Sequence, residues 1–158
     1  IGVLPATGWT SSDGSSGVPW SARATVVGFV SEPRAGCPNA GGMLRKLSIA
    51  FEQAGLPVSV ATVAVGWESS SVSKRMSWAT HRQGGARPGS SRWTTTGVSE
   101  VAQVLVGRSS AGACDAYGLS GIVTIVDDAG GARGIYRVGT GESLSEVYHR
   151  AQHVALIR

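Results

Sequence analysis

Two runs decide the fold: Ala24-Thr-Val-Val-Gly-Phe-Val30, and Val58-Ser-Val-Ala-Thr-Val-Ala-Val-Gly66. The first is β-branched and aromatic, as a strand requires. In the second, Val58, Val60, Thr62 and Ala64 fall on one face and Ser59, Ala61, Val63 and Val65 on the other. Both faces are mostly apolar, the pattern of a central strand covered on both sides. Between the runs, Met43, Leu44, Leu47, Ala50, Phe51 and Ala54 recur at helical spacing. The spacing predicts a helix over 40–54, with Asn39 as a cap and Gly55 and Pro57 as its stop. Strand, helix and strand at this separation form a right-handed crossover, so the two strands should pair in parallel.

Outward from that unit the signals weaken. Residues 1–22 read as an extended N-terminal arm, broken by Pro5, Gly8, Gly14, Gly17 and Pro19, with Trp9 and Trp20 able to pin it to the body. The body is then a single domain over 23–158, with a loop at 68–97 that shows no convincing periodicity. Val101–Val106 reads as a strand, with a helix from Ser99 as the alternative. Ser109–Tyr117 reads either way. Gly121–Asp127 and Arg133–Val138 read as a hairpin around the turn Asp128-Ala-Gly-Gly131. Ser143 and Glu146 form a capping box ahead of a helix lined by Leu144, Val147, Tyr148 and Ala151. The expected architecture is an α+β single-domain sandwich of about five strands and two main helices covering one face. A β-sandwich or jelly roll with helical connections is the alternative.

Composition narrows the class. Of 158 residues, 15% are charged, 42% are hydrophobic and 23 are glycine, with a net charge of +4. A chain this apolar and this weakly charged is not disordered as a whole. No run is long and apolar enough for a spanning helix. The calculated isoelectric point of 9.6 permits a polyanionic partner without requiring one. Ile1 at the start points to a processed or trimmed beginning, which suits a precursor, a secreted protein or a polyprotein.

The strongest local bias is basic. Lys74, Arg75, Arg82, Arg87 and Arg92 occur with no acidic residue between Glu68 and Glu100, and Trp78, Trp93 and His81 are interleaved with them. Arginines grip phosphates and tryptophans stack on splayed bases. The loop is therefore expected to contact single-stranded nucleic acid through Lys74, Arg75, Trp78, Arg82, Arg87, Arg92 and Trp93. A solvated loop with its tryptophans packed on the body is the plain alternative.

Other chemistry is sparse. Cys37 and Cys114 read first as two idle thiols. A disulfide between them would close a loop of 76 intervening residues, worth about 4.5 kcal/mol by chain entropy. A reactive thiol is the third option, with Cys114 the better candidate, His149 or His153 as base, and Asp115, Asp127 or Asp128 as orienter. His149 and His153, four apart, share a helix face that two ligands to a metal would need. Asp13, Glu52, Asp127 and Asp128 could gather around magnesium. The turn Gly139-Thr-Gly141 could offer N–H groups to an anion, against the charges of Glu142 and Glu146. Ser71-x-x-Lys74 is too short a match to use. Neither a metal site nor a cofactor is expected.

Taken together, these features favour a non-enzymatic structural or assembly protein, virion-associated or secreted, that self-associates and holds nucleic acid through its basic loop. The alternatives are a small cysteine/histidine hydrolase and a protein- or receptor-binding module.

Overall fold

The computed structural model describes residues 2–31, 37, 40–65, 90–107, 117–138 and 144–157. Within them the chain forms β1 (Trp9–Ser11), β2 (Ser16–Gly17), β3 (Ala24–Val30), α1 (Gly41–Ala54), β4 (Val58–Ala64), β5 (Ser90–Thr95), α2 (Val98–Leu105), β6 (Ile122–Asp127), β7 (Ala132–Arg137) and α3 (Leu144–Leu156). All seven strands belong to one sheet, ordered β2-β1-β5-β4-β3-β6-β7. The fold is α+β and single-domain, with seven strands and three helices instead of five and two. One mixed sheet with helices on both faces replaces the alternative of two stacked sheets.

The crossover unit forms as its sequence dictates. β3 pairs with β4 in parallel from Ala24↔Val58 to Val30↔Ala64, and β3 pairs with β6 antiparallel on its other edge. Every residue of β3 is buried. Ala24, Val26 and Val30 lie in one core with Leu44, Leu47 and Phe51 of α1 and Val147 and Ala151 of α3. Val27 and Phe29 face the other core, which holds Leu4, Trp9, Trp20 and, from α2, Val101 and Leu105. Gly28 lies at the closest approach of α1. A Cβ there would collide with Leu44 Cδ1 and come within 2.8 Å of Cδ2. α1 ends at Gly55, which adopts φ 65° and donates its N–H to the last turn. At the other end, Ala40 occupies the cap position without a side-chain hydrogen bond, and Asn39 lies outside the described residues.

Two expectations are corrected here. Residues 98–105 are helical, because Val98, Val101, Ala102 and Leu105 make one apolar stripe at three- and four-residue spacing. That stripe packs on the sheet, and its burial outweighs the strand preference of the valines. The end of the loop at 68–97 is also not a loop: Ser90–Thr95 is an interior strand. It pairs with β4 in parallel and with β1 antiparallel, and it buries the alternate residues Trp93 and Thr95. The first 22 residues supply β1 and β2, and Trp9 meets Trp20 edge to face at 5.9 Å.

The close contact at Gly28 gives a signed test. In an unobstructed strand, Gly→Ala stabilises. Gly28→Ala should instead destabilise by about 1–3 kcal/mol, because Leu44 and α1 must shift. Phe51→Ala, which also removes the stack on Tyr148 at 5.1 Å, should cost about 3–5 kcal/mol. Urea melts of both variants check the two values, and an unchanged midpoint for Gly28→Ala would contradict the packing.

Candidate functional site

In a sheet whose central strands are parallel, the carboxyl ends of those strands open into a crevice where the connections diverge. β3 meets that condition: one neighbour, β4, is parallel and the other, β6, antiparallel. The chain leaves β3 through Ser31, passes Cys37 and enters α1 at Gly41. Cys37 is half-buried and held in a disulfide. No described cysteine is free. The sequence holds one other cysteine, Cys114, which lies outside the described residues. The idle-thiol reading is therefore corrected. A hydrolase with a free Cys37 nucleophile has no thiol in this state.

The segment entering β6 is tied to the end of β3. Ser31 and Ser120 hydroxyls bond at 2.8 Å, both buried. Gly121 donates its N–H to Phe29 O at 3.0 Å with φ 83°, a conformation a side chain would resist. Leu119 is fully buried, and Tyr117 is half-buried. Two polar ties thus hold residues 120–121 against the end of β3, six or seven residues past Cys114 in the chain. Cys37 missed selection as a site residue, although its position between a confident parallel strand and a confident helix is the signal that could have found it. The Ser31–Ser120 pair carried no such signal, since isolated serines are common.

The other candidates scatter. Lys74, Arg75, Trp78, Arg82 and Arg87 lie outside the described residues, as do His81, Cys114, Asp115, Ser71 and the turn 139–141. Arg92 and Trp93 are on β5. Trp93 is 9% exposed and its indole N–H donates to Ser91 Oγ at 2.8 Å. It is part of the core and offers no stacking platform. Burial pushes the pKa of Arg92 down. His149 and His153 are exposed on α3, and His149 Nδ1–H donates to the Ser145 carbonyl at 3.0 Å. Among the described residues no three His, Cys, Asp or Glu side chains gather as a metal site would need.

The carboxylates are separated by the sheet. Asp13 sits in the β1–β2 turn, at one sheet edge, accepting from the Ser11 and Ser15 hydroxyls and the Ser15 N–H. These bonds, that from Ser11 foremost, hold its pKa down to about 2. Asp127 is near the opposite edge, where it organises the β6–β7 turn. It accepts from the N–H groups of Ala129 at 3.0 Å and Gly131 at 2.9 Å, and from Arg133 Nε at 2.7 Å. Burial acts to raise its pKa, but the Arg133 hydrogen bond and the two N–H groups outweigh burial and lower it.

Likeness to known proteins extends over the whole architecture. No family model and no curated protein matches the chain. Solved structures do match. A Sco1/SenC family lipoprotein of Bacillus anthracis superposes with a TM-score of 0.70 at 10% identity, covering 98% of this chain and 95% of that one. An exposed lipoprotein thioredoxin of Streptococcus pneumoniae gives 0.61 at 10% identity, covering 94% and 99%. A thiol:disulfide interchange protein from Bacteroides gives 0.56 at 14% identity, covering 98% and 88%. At these identities the likeness establishes the fold, which is thioredoxin-like. It overturns the expectation of a virion-associated assembly protein with a nucleic-acid-binding loop. That expectation rested on small residues, low charge and an arm. In this fold, those features are buried strands, a sheet edge and the interior strand β5.

Asp127 predicts a pH dependence. Its folded pKa lies below the ordinary carboxylate value of about 3.9, so its contribution is complete above that value. The contribution fades as pH falls through the lowered folded pKa. Acid melts from pH 5 to pH 2 should show a steeper loss of stability in the native chain than in Asp127→Asn. Parallel acid limbs would contradict the assignment.

Proposed function

We infer that the protein is a thiol–disulfide oxidoreductase whose redox couple is Cys37 with Cys114. The observation that carries this reading is the disulfide at Cys37, in the connection between the carboxyl end of β3 and the start of α1. A redox sulfur needs a place that a partner can reach and that favours its thiolate. The approach to a helix N-terminus lowers a thiol pKa, and Cys37 is only half-buried. Cys114 is the partner by count, as the chain's only other cysteine.

In the reducing direction, the Cys37 thiolate attacks one sulfur of a substrate disulfide and expels the other as a thiolate, leaving a mixed disulfide. The Cys114 thiolate then attacks Cys37 Sγ, closes the protein disulfide and releases the second substrate thiolate. Two electrons pass from protein to substrate, and the substrate thiolates take up protons from solvent. The oxidising direction is the reverse. The Ser31–Ser120 and Gly121–Phe29 ties serve this cycle by holding residues 120–121 against the end of β3 while the covalent link is open. A compartment in which disulfides persist, outside the reducing cytosol, suits the oxidised pair. The names of the Bacillus and Streptococcus lipoproteins support the same location. No helix among the described residues is long and apolar enough to cross a membrane.

The test is catalysis of insulin reduction by dithiothreitol. The native chain should accelerate it, and Cys37→Ser should return it to the uncatalysed rate. Cys114→Ser should accumulate a mixed disulfide with substrate on Cys37, seen by mass spectrometry. A native chain with no effect on the rate would contradict the reading.

A further inference from the structure

The far end of the sheet carries a second cleft. Arg23 immediately precedes β3, whereas Cys37 follows its other end. Seven residues of strand therefore separate the two places by roughly 20 Å. The cleft holds about 730 Å³, within the range of small-molecule sites. Arg23, Arg133, Arg150 and His153 line it together with Asp127 and Asp128. Val154 and Ile157 form an apolar side, and Ile157 is 55% exposed.

The charges are not all available. Arg133 is committed to Asp127 at 2.7 Å, and two backbone N–H groups occupy the same carboxylate. Among the described residues, Arg23 and Arg150 engage no carboxylate, and Asp128 engages no cation. Arg150 lies across a strand position that lacks a side chain: a Cβ at Gly134 would be 3.6 Å from its Cγ. Among the described arginine and carboxylate side chains of the lining, the uncommitted charge is thus two guanidinium groups against one carboxylate, which balances a monoanion. The cleft also borders the last turn of α3, whose carbonyl end disfavours concentrated negative charge. A dianion fits that surrounding worse than a monoanion does.

From this we propose that the cleft binds a small monocarboxylate carrying an aliphatic chain. The carboxylate lies between Arg23 and Arg150, whose planar forks match it, and the chain lies on Val154 and Ile157. This site is independent of the disulfide chemistry.

Calorimetric titration with octanoate tests it, with acetate, octan-1-ol and octyl phosphate as controls. Octanoate should bind one to one and saturably. Octan-1-ol, lacking the charge, should bind at least about tenfold more weakly, the scale of one charge-assisted hydrogen bond, and acetate, lacking the chain, should bind at least about tenfold more weakly through lost apolar contact. The exposed double variant Arg23→Gln/Arg150→Gln, with its circular dichroism unchanged, should lose about tenfold or more in octanoate affinity. His149→Gln, on the same helix outside the cleft, should lose none. Absence of saturable octanoate binding would overturn the proposal. So would equal affinity for octan-1-ol, tighter binding of octyl phosphate, or an unaffected double variant.

Discussion

Strand β3 is confined on every side. β4 and β6 take its backbone groups on the two edges, α1 and α3 cover one face, and α2 with the N-terminal segment covers the other. Its buried side chains leave no room for adjustment, and at Gly28 there is no room even for a methyl group. The direction in which β3 delivers the chain is therefore fixed before Ser31 is reached. The connection that carries Cys37 and the start of α1 inherit that direction.

The end of β3 is tied to residues far away in sequence. Ser120 and Gly121 reach the end of β3 through one side-chain and one backbone hydrogen bond. Each such bond contributes about 1 kcal/mol net, whereas the proposed Cys37–Cys114 cross-link, with 76 intervening residues, would restrict the unfolded chain by about 4.5 kcal/mol. The covalent link is thus the stronger constraint. On the proposed function, reduction would remove that constraint and lower stability as well as change oxidation state.

The central unit was legible because its signals agree at every level. Val58–Ala64 is apolar on both faces, Leu44, Leu47 and Phe51 keep helical spacing, and Gly55 marks the stop. Propensity, periodicity and topology all point to one parallel pair. The site was less legible for a different reason. A cysteine in a loop carries no periodic signal, and only the topology around Cys37 makes it special. β5 was hidden because its strand character lies in which residues it buries, Trp93 and Thr95, and an exterior reading of Arg92 and Trp93 masked that. In α2 the valines favoured a strand locally, and only their three- and four-residue spacing, realised by packing on the sheet, decides for a helix. Residues that gain meaning from a distant partner, Ser31 with Ser120, had no local mark at all.

The central claim is that the disulfide at Cys37 is a working redox couple and more than a staple. Its reduction potential, measured by equilibration with glutathione or dithiothreitol buffers and quantified by thiol alkylation, tests this most directly. The account predicts a value in the range of thiol oxidoreductases, about −270 to −120 mV. A potential below about −300 mV, as structural disulfides have, would contradict it.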